Sequence, residues 1–234
     1  MIPVAERVRE IRRRISEAAL KSGRKSDEIS VMAVTKTRYP EEIREVWREG
    51  IVLFGENRVQ EEESKIGEWS PDFACEWRLI GHLQRNKARK ALGLFSGIDS
   101  LDRIGLAEDL ERILSEKGQV MPVLVEVNTS GEAAKHGVAP EELEGLVERV
   151  LLDCPSLNVR GLMTVGPLHG GEKEISASFC LLRELAEKVS GNLGIRMQEL
   201  SMGMSGDFEL AIEQGSTCVR LGQALFGPRE YREV

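Results

Sequence analysis

The chain has 234 residues, of which 41% are hydrophobic and 30% charged, and a formal net charge of −7. That composition suits a globular fold able to bury a sizeable core, as one barrel-sized domain or two small ones. The acidic balance argues against a nucleic-acid groove, because neutralising phosphates needs clustered Lys and Arg.

Val4, Val8, Ile11, Ile15 and Ala19 recur at helical spacing between charged neighbours, which predicts one amphipathic helix stopping near Ser22-Gly23. Beyond it the chain alternates short apolar runs with helical patterns. The runs are 29–36, 51–56, 76–81, 95–101, 121–128, 158–165, 196–202 and 217–222. Ile104, Ala107, Leu110 and Ile113 mark one intervening helix, and Leu143, Leu146, Val147 and Val150 another. A third carries Phe179, Leu182, Leu185, Ala186 and Val189. Shorter helices are predicted at 41–49, 58–66, 84–92 and 205–214, with a mobile glycine-rich loop from Gly166 to Lys173. Eight runs alternating with helices point to an α/β fold with parallel strands, and eight strands close a (β/α)8 TIM barrel. An open doubly wound sheet is the competitor. Its Rossmann version wants a glycine fingerprint after the first strand, and Thr35-Lys36-Thr37-Arg38 has none. No linker composition interrupts the rhythm, so one domain over residues 1–234 is expected.

Cys75, Cys154, Cys180 and Cys218 lie far apart with no paired spacing, so reduced thiols in a cytoplasmic protein are expected. His82, His136 and His169 form no helical pair, so no metal centre is expected. Met1 to Arg14 alternates apolar with charged residues and reads as no signal peptide. No window approaches the roughly 18 apolar residues of a membrane helix.

In a barrel, polar residues at the strand ends converge on one mouth. Here the runs end at Lys36, Glu56-Asn57, Gly81-His82, Asn128, Met163-Thr164, Ser201, and Arg220 with Gly222. Lys36 is either a surface lysine or, desolvated on a rigid strand, an amine that attacks aldehydes. Ser201-Met202-Gly203-Met204-Ser205-Gly206 and Gly222-Gln223 read as structural turns or as a pair of phosphate-binding turns after adjacent final strands. Arg220, inside an apolar run, either pairs with a carboxylate such as Glu199 or Glu213 or holds a ring nitrogen of a ligand. Asn57 and His82 are weaker signals, and a lone strand-end histidine is more often structural. The basic stretches 8–14 and 85–90 read as solvated helix faces. Asp99 and Asp102 are expected to cap a helix starting near Arg103.

These residues carry a resemblance. Ala33-Val34-Thr35-Lys36-Thr37, Phe54-Gly55-Glu56-Asn57, Ile80-Gly81-His82-Leu83-Gln84-Arg85-Asn86-Lys87 and Lys135-His136-Gly137 are part of it. So are Arg160-Gly161-Leu162-Met163, Leu200-Ser201-Met202-Gly203-Met204-Ser205 and Val219-Arg220-Leu221-Gly222. Together they make the chain resemble the YggS/PROSC family of pyridoxal 5'-phosphate (PLP) homeostasis proteins, itself similar to the barrel domain of bacterial alanine racemase. The resemblance implies a fold-type III barrel that carries PLP as a Schiff base on Lys36. It puts the phosphate against Ser201, Gly222 and Gln223 and Arg220 at the pyridine nitrogen, with Asn57 and Met163 lining the pocket. Arg58, where the family commonly has an aromatic residue, and Thr35, where serine is common, are departures, and Arg58 bears on how open the mouth is.

The function implied is a PLP carrier or buffer that influences amino-acid and keto-acid balance without a known turnover reaction. PLP-dependent apoenzymes are the implied recipients, and a monomer with no nucleic-acid or membrane partner is expected. One alternative is a PLP-dependent racemase. Such an enzyme needs a second base, usually a tyrosine from a C-terminal β-domain, and the chain runs only a few residues past its last strand. Its two tyrosines, Tyr39 and Tyr231, lie outside the strand ends assigned to the pocket. Another alternative is a Schiff-base aldolase whose two turns hold a sugar phosphate.

Overall fold

The computed structural model describes residues 2–66 and 73–228. The apolar runs become β1 (Ser30–Val34), β2 (Leu53–Glu56), β3 (Glu76–Leu79), β4 (Gly97–Leu101), β5 (Met121–Glu126), β6 (Leu157–Met163), β7 (Glu199–Met204) and β8 (Cys218–Leu221). All pair in parallel, and β8 returns to β1, so the sheet is a closed barrel in chain order. The doubly wound alternative is thereby excluded.

Around it lie α1 (Val4–Lys21), α2 (Pro40–Arg48), α3 (Val59–Ile66), α4 (Ala88–Leu94), α5 (Ile104–Ser115), α6 (Leu143–Asp153), α7 (Glu172–Leu193), α8 (Phe208–Glu213) and α9 (Gln223–Phe226). The N-terminal α1 buries Val8, Ile11, Ile15, Ala18 and Ala19 and packs on α8, α9 and α2. Three boundaries differ from expectation. Glu172 and Lys173 already belong to α7, whose first turn gathers Glu172 and Glu174 where the helix dipole favours acids. The stretch after Gln84 opens as a 3-10 turn, Arg85–Lys87, before α4. Asp207, not Ser205, stands at the start of α8, and its Oδ1 accepts the Met204 N–H at 2.5 Å.

Side-chain alternation sorts each strand into an outer and an inner face. Ala33, Phe54, Val125, Leu162 and Val219 join the apolar layer between sheet and helices. Their neighbours Met32, Leu124, Met163 and Cys218 are buried but outside that layer, so they fill the barrel axis. The lower axis is charged: Arg78 bridges Glu76 and Glu199, with Asp99 3.7 Å away.

Gly161 fixes how closely β6 and β7 approach. A Cβ there would sit 1.9 Å from the carbonyl oxygen of Glu199, its register partner. Backbone cannot yield as a flexible side chain can, so Gly161→Ala is expected to cost about 3 kcal/mol or more, measured by urea unfolding. Wild-type stability in that variant would mean the two strands are free to separate.

Candidate functional site

The mouth at the C-terminal end of the barrel is built on a buried hydrogen-bonded base. Thr35 turns outward and donates to Glu56 Oε1 at 2.6 Å. Lys65 of α3 donates to the Thr35 carbonyl at 2.9 Å and pairs with Glu56. Glu56 has no exposed surface, and burial raises its pKa while Lys65 opposes that rise. β1 ends at Val34, two residues short of the expected run, so Lys36 stands half-buried in the turn just beyond the strand. Thr37, the next residue, has φ 63°, a left-handed conformation uncommon for a β-branched residue, and its N–H donates to Glu61 Oε2 at 3.2 Å. The chain thus turns sharply just beyond the lysine, and backbone strain of this kind is concentrated at functional sites.

Lys65 was not singled out from the sequence, since one lysine in a charged helix carries no signal of burial. Lys65→Ala would remove the cation that pairs with the buried Glu56. We expect a loss of about 3 kcal/mol in thermal or urea unfolding, and an unchanged midpoint would show that Glu56 is protonated.

Across the barrel, Arg220 is 4% exposed and points along the axis. Its Nη1 donates to Ser201 Oγ at 2.8 Å and its Nη2 to the Thr164 carbonyl at 2.7 Å. The suggested pairing with Glu199 is not made; that carboxylate bonds Arg78 instead. Burial lowers the Arg220 pKa, while Cys218, Asp99, Glu126 and Asp207 oppose that fall. The cation is therefore balanced by surrounding charge rather than by a contact ion pair.

The two final turns meet. Ser205 Oγ accepts the N–H of Ala224 at 3.2 Å, tying the loop after β7 to the start of α9. Gly222 follows β8 with ordinary room around it, since an added Cβ would lie 3.7 Å from the Val34 carbonyl oxygen of β1. Met163 ends β6, Arg220 is the penultimate residue of β8, and Lys36, Gly222 and Gln223 lie just beyond β1 and β8, whereas Ser201 lies inside β7, three residues before its end; β6, β7, β8 and β1 are consecutive around the closed barrel. Asn57 follows β2 and lines a cavity of about 700 Å³ with Arg58, Gly81, His82, Gln84 and His136. The Arg58 side chain is 76% exposed on that rim.

Several strand-end residues serve other purposes. Asn128 spends its amide on its own loop, donating to the Glu132 carbonyl and accepting from Ser130 and Gly131. The Thr164 hydroxyl bonds Val127 and Thr129 on the outer face. Asp99 and Asp102 do not cap α5. Asp99 is buried on the axis with its pKa pushed up to about 7, chiefly by burial against the opposing pull of Arg78. Asp102 pairs with His82 at 3.2 Å and with Arg103. His82 and His136, distant in sequence, stack with ring centroids 4.1 Å apart. With Asp102 they offer possible ligand atoms within 4.8 Å of one another, a convergence that helical spacing did not reveal. Their parallel planes keep the in-plane lone pairs from meeting at one point. The basic stretch is a salt-bridged face, with Arg85, Arg89 and Lys90 paired to Asp109, Glu116 and Glu63. None of the four cysteines is in a disulfide. Tyr231 lies outside the described residues.

Comparison with known proteins accords with this geometry. The alanine racemase N-terminal domain family matches residues 7–230. A pyridoxal phosphate homeostasis protein of Aquifex aeolicus is 41% identical over 226 residues, spanning 97% of this chain and 98% of that one. The protein of that name from Homo sapiens is 36% identical, across 96% of this chain and 86% of its own. The structure of PipY from Synechococcus elongatus PCC7942 with PLP bound superimposes with a TM-score of 0.82 at 36% identity, over 96% of this chain and 100% of that one. Corynebacterium glutamicum alanine racemase shares the fold at a TM-score of 0.73 and 16% identity, with 97% of this chain matching 61% of the racemase. The chain belongs to the alanine racemase N-terminal domain family and, within it, to the pyridoxal phosphate homeostasis proteins.

Proposed function

We propose that this chain binds PLP through Lys36 and acts in intracellular PLP homeostasis and amino-acid and keto-acid balance, with no turnover reaction of its own. The observation that carries this reading is the buried guanidinium of Arg220, held by Ser201 and a backbone carbonyl at the same barrel end as Lys36. Two features fit the cofactor: among the described residues that cation has Ser201 and a carbonyl but no carboxylate in contact, and a buried oxygen of Glu126 has no donor. PLP, when bound, supplies an aldehyde that an amine can capture and a ring that draws electrons.

The remaining work belongs to the chain. Lys36, fixed by the Thr35–Glu56–Lys65 base, presents its amine with little freedom to wander. Ser201, inside β7, and Gly222 and Gln223, in the turn after β8, take the phosphate; the last barrel strands are where such sites are usually built. Asn57 and Met163 line the walls. Arg220 at the pyridine nitrogen keeps that atom unprotonated, because a second positive charge there would be repelled. This weakens the electron sink and favours carrying over catalysis. We place the function in the cytoplasm, in one domain over residues 1–234, as a monomer that passes PLP to apoenzymes. No helix among the described residues is long and apolar enough to cross a membrane.

Titrating purified protein with PLP while recording its absorbance tests this reading. Saturation at one equivalent is expected. No spectral change, combined with turnover of a phosphorylated sugar, would favour the aldolase alternative. Loss of alanine chirality under single-turnover control would contradict the non-catalytic part.

A further inference from the structure

Glu126 ends β5, and its flanking residues Val125 and Val127 belong to the helix-facing core, so its own side chain turns to the axis. In register it neighbours Met163, which neighbours Ser201, which holds Arg220. It therefore shares an interior ring with three of the residues assigned to PLP. Glu126 is 7% exposed, and its Oε2 is buried without a hydrogen-bond partner among the described residues. Leaving such an oxygen unsatisfied costs about 1–3 kcal/mol, and more for a charged carboxylate, so it calls for an explanation.

The bound cofactor offers one. Of the polar groups on PLP, the aldehyde, the phosphate and the ring nitrogen already have residues in the reading above. The ring hydroxyl has none. That ligand is anionic, and a second negative charge in a closed ring of side chains would repel it. We propose that Glu126 is a further binding residue of the PLP site, entering the complex as a neutral carboxylic acid that donates its proton in a hydrogen bond to the ring oxygen. Loading is then coupled to uptake of one proton from solvent onto Glu126. This rests on the PLP reading.

The electrostatics agree. Burial pushes the Glu126 pKa up to about 7, Asp102 at the end of β4 adds to the rise, and Arg220 on β8 opposes it. Lys36 after β1 and His82 after β3 also open on the mouth, whereas Met163 on β6 and Ser201 on β7 bring no charge. A nearby anionic ligand raises the pKa further. The affinity due to the proton is fully present below the free-state value. It is lost as pH climbs from that value towards the bound-state one, at a limiting slope of about tenfold per pH unit.

The test is calorimetric titration of the full chain with PLP, in two buffers lacking primary amines and differing in ionisation enthalpy, from about pH 6 to about pH 8.5. Subtracting Glu126→Gln from wild type removes protons exchanged by Lys36 and by the ligand itself. Expected is an extra uptake approaching one proton above neutrality in the wild type. Its affinity should also fall relative to the variant by about tenfold across the alkaline part of the range. If the amide variant does not fold, Glu126→Leu provides the same subtraction. Equal proton uptake and equal pH dependence in wild type and variant overturn the proposal. A wild type that binds no PLP is a different result, and it overturns the PLP reading and this proposal together.

Discussion

Lys36→Ala is expected to abolish covalent retention of PLP while leaving the barrel folded. The lysine is half-buried in the turn after β1, and the groups that hold that end, Thr35, Glu56 and Lys65, bond one another. The stability cost should therefore stay within about 1 kcal/mol, as for positions outside the core. Retention of ligand should drop at least a hundredfold, because phosphate and ring contacts alone dissociate during gel filtration whereas a carbon–nitrogen bond does not. Absorbance of the protein peak after gel filtration reads this out. A variant that keeps a stoichiometric chromophore resistant to dilution would mean another amine is the attachment point.

Reversing the charge of Arg220 should have the largest effect on folding. The guanidinium is 4% exposed, and Asp99, Glu126 and Asp207 are the carboxylates whose charge acts on it. Arg220→Glu adds another carboxylate to that group and removes the cation whose charge acts on all three. It also leaves Ser201 and the Thr164 carbonyl without their donor. A loss on the order of 3–5 kcal/mol is expected in denaturant unfolding, enough to unfold a domain of ordinary stability. Arg220→Gln, which keeps donors but no charge, is expected to fold and to shift the absorbance of bound PLP, because the ring nitrogen is then free to take a proton. Wild-type stability of Arg220→Glu would mean that the acids around it already carry protons. An unchanged spectrum in Arg220→Gln would mean that the arginine serves only the barrel.

The barrel was legible in the sequence because each strand is a short apolar run bounded by turn residues, and each crossover repeats at helical spacing. That pattern located all eight strands to within a few residues, although β1 stops at Val34, short of Lys36, and β7 runs on to Met204, leaving Ser201 inside the strand. The sequence was least informative where function depends on residues brought together by closure. Glu126 and Asp99 sit in runs that look ordinary by composition, and only the alternation of β4 and β5 inside a closed sheet shows them buried on the axis. Lys65 reads as one more charge on a polar helix, and its burial depends on α3 packing over β2. Asn128 ends its run as convincingly as Asn57 does, yet local hydrogen bonding within its loop claims its amide. His82 and His136 meet because the loop after β5 folds back across the mouth, a contact with no signature in spacing.

The proposed function depends on where the cofactor is joined to the chain. Wild-type protein loaded with PLP, reduced with borohydride, digested and mapped by mass spectrometry answers that directly. A single pyridoxyl-phosphate adduct is expected, on the peptide that contains Lys36. An adduct confined to Lys65, Lys135 or another amine, or no adduct at all, would contradict it.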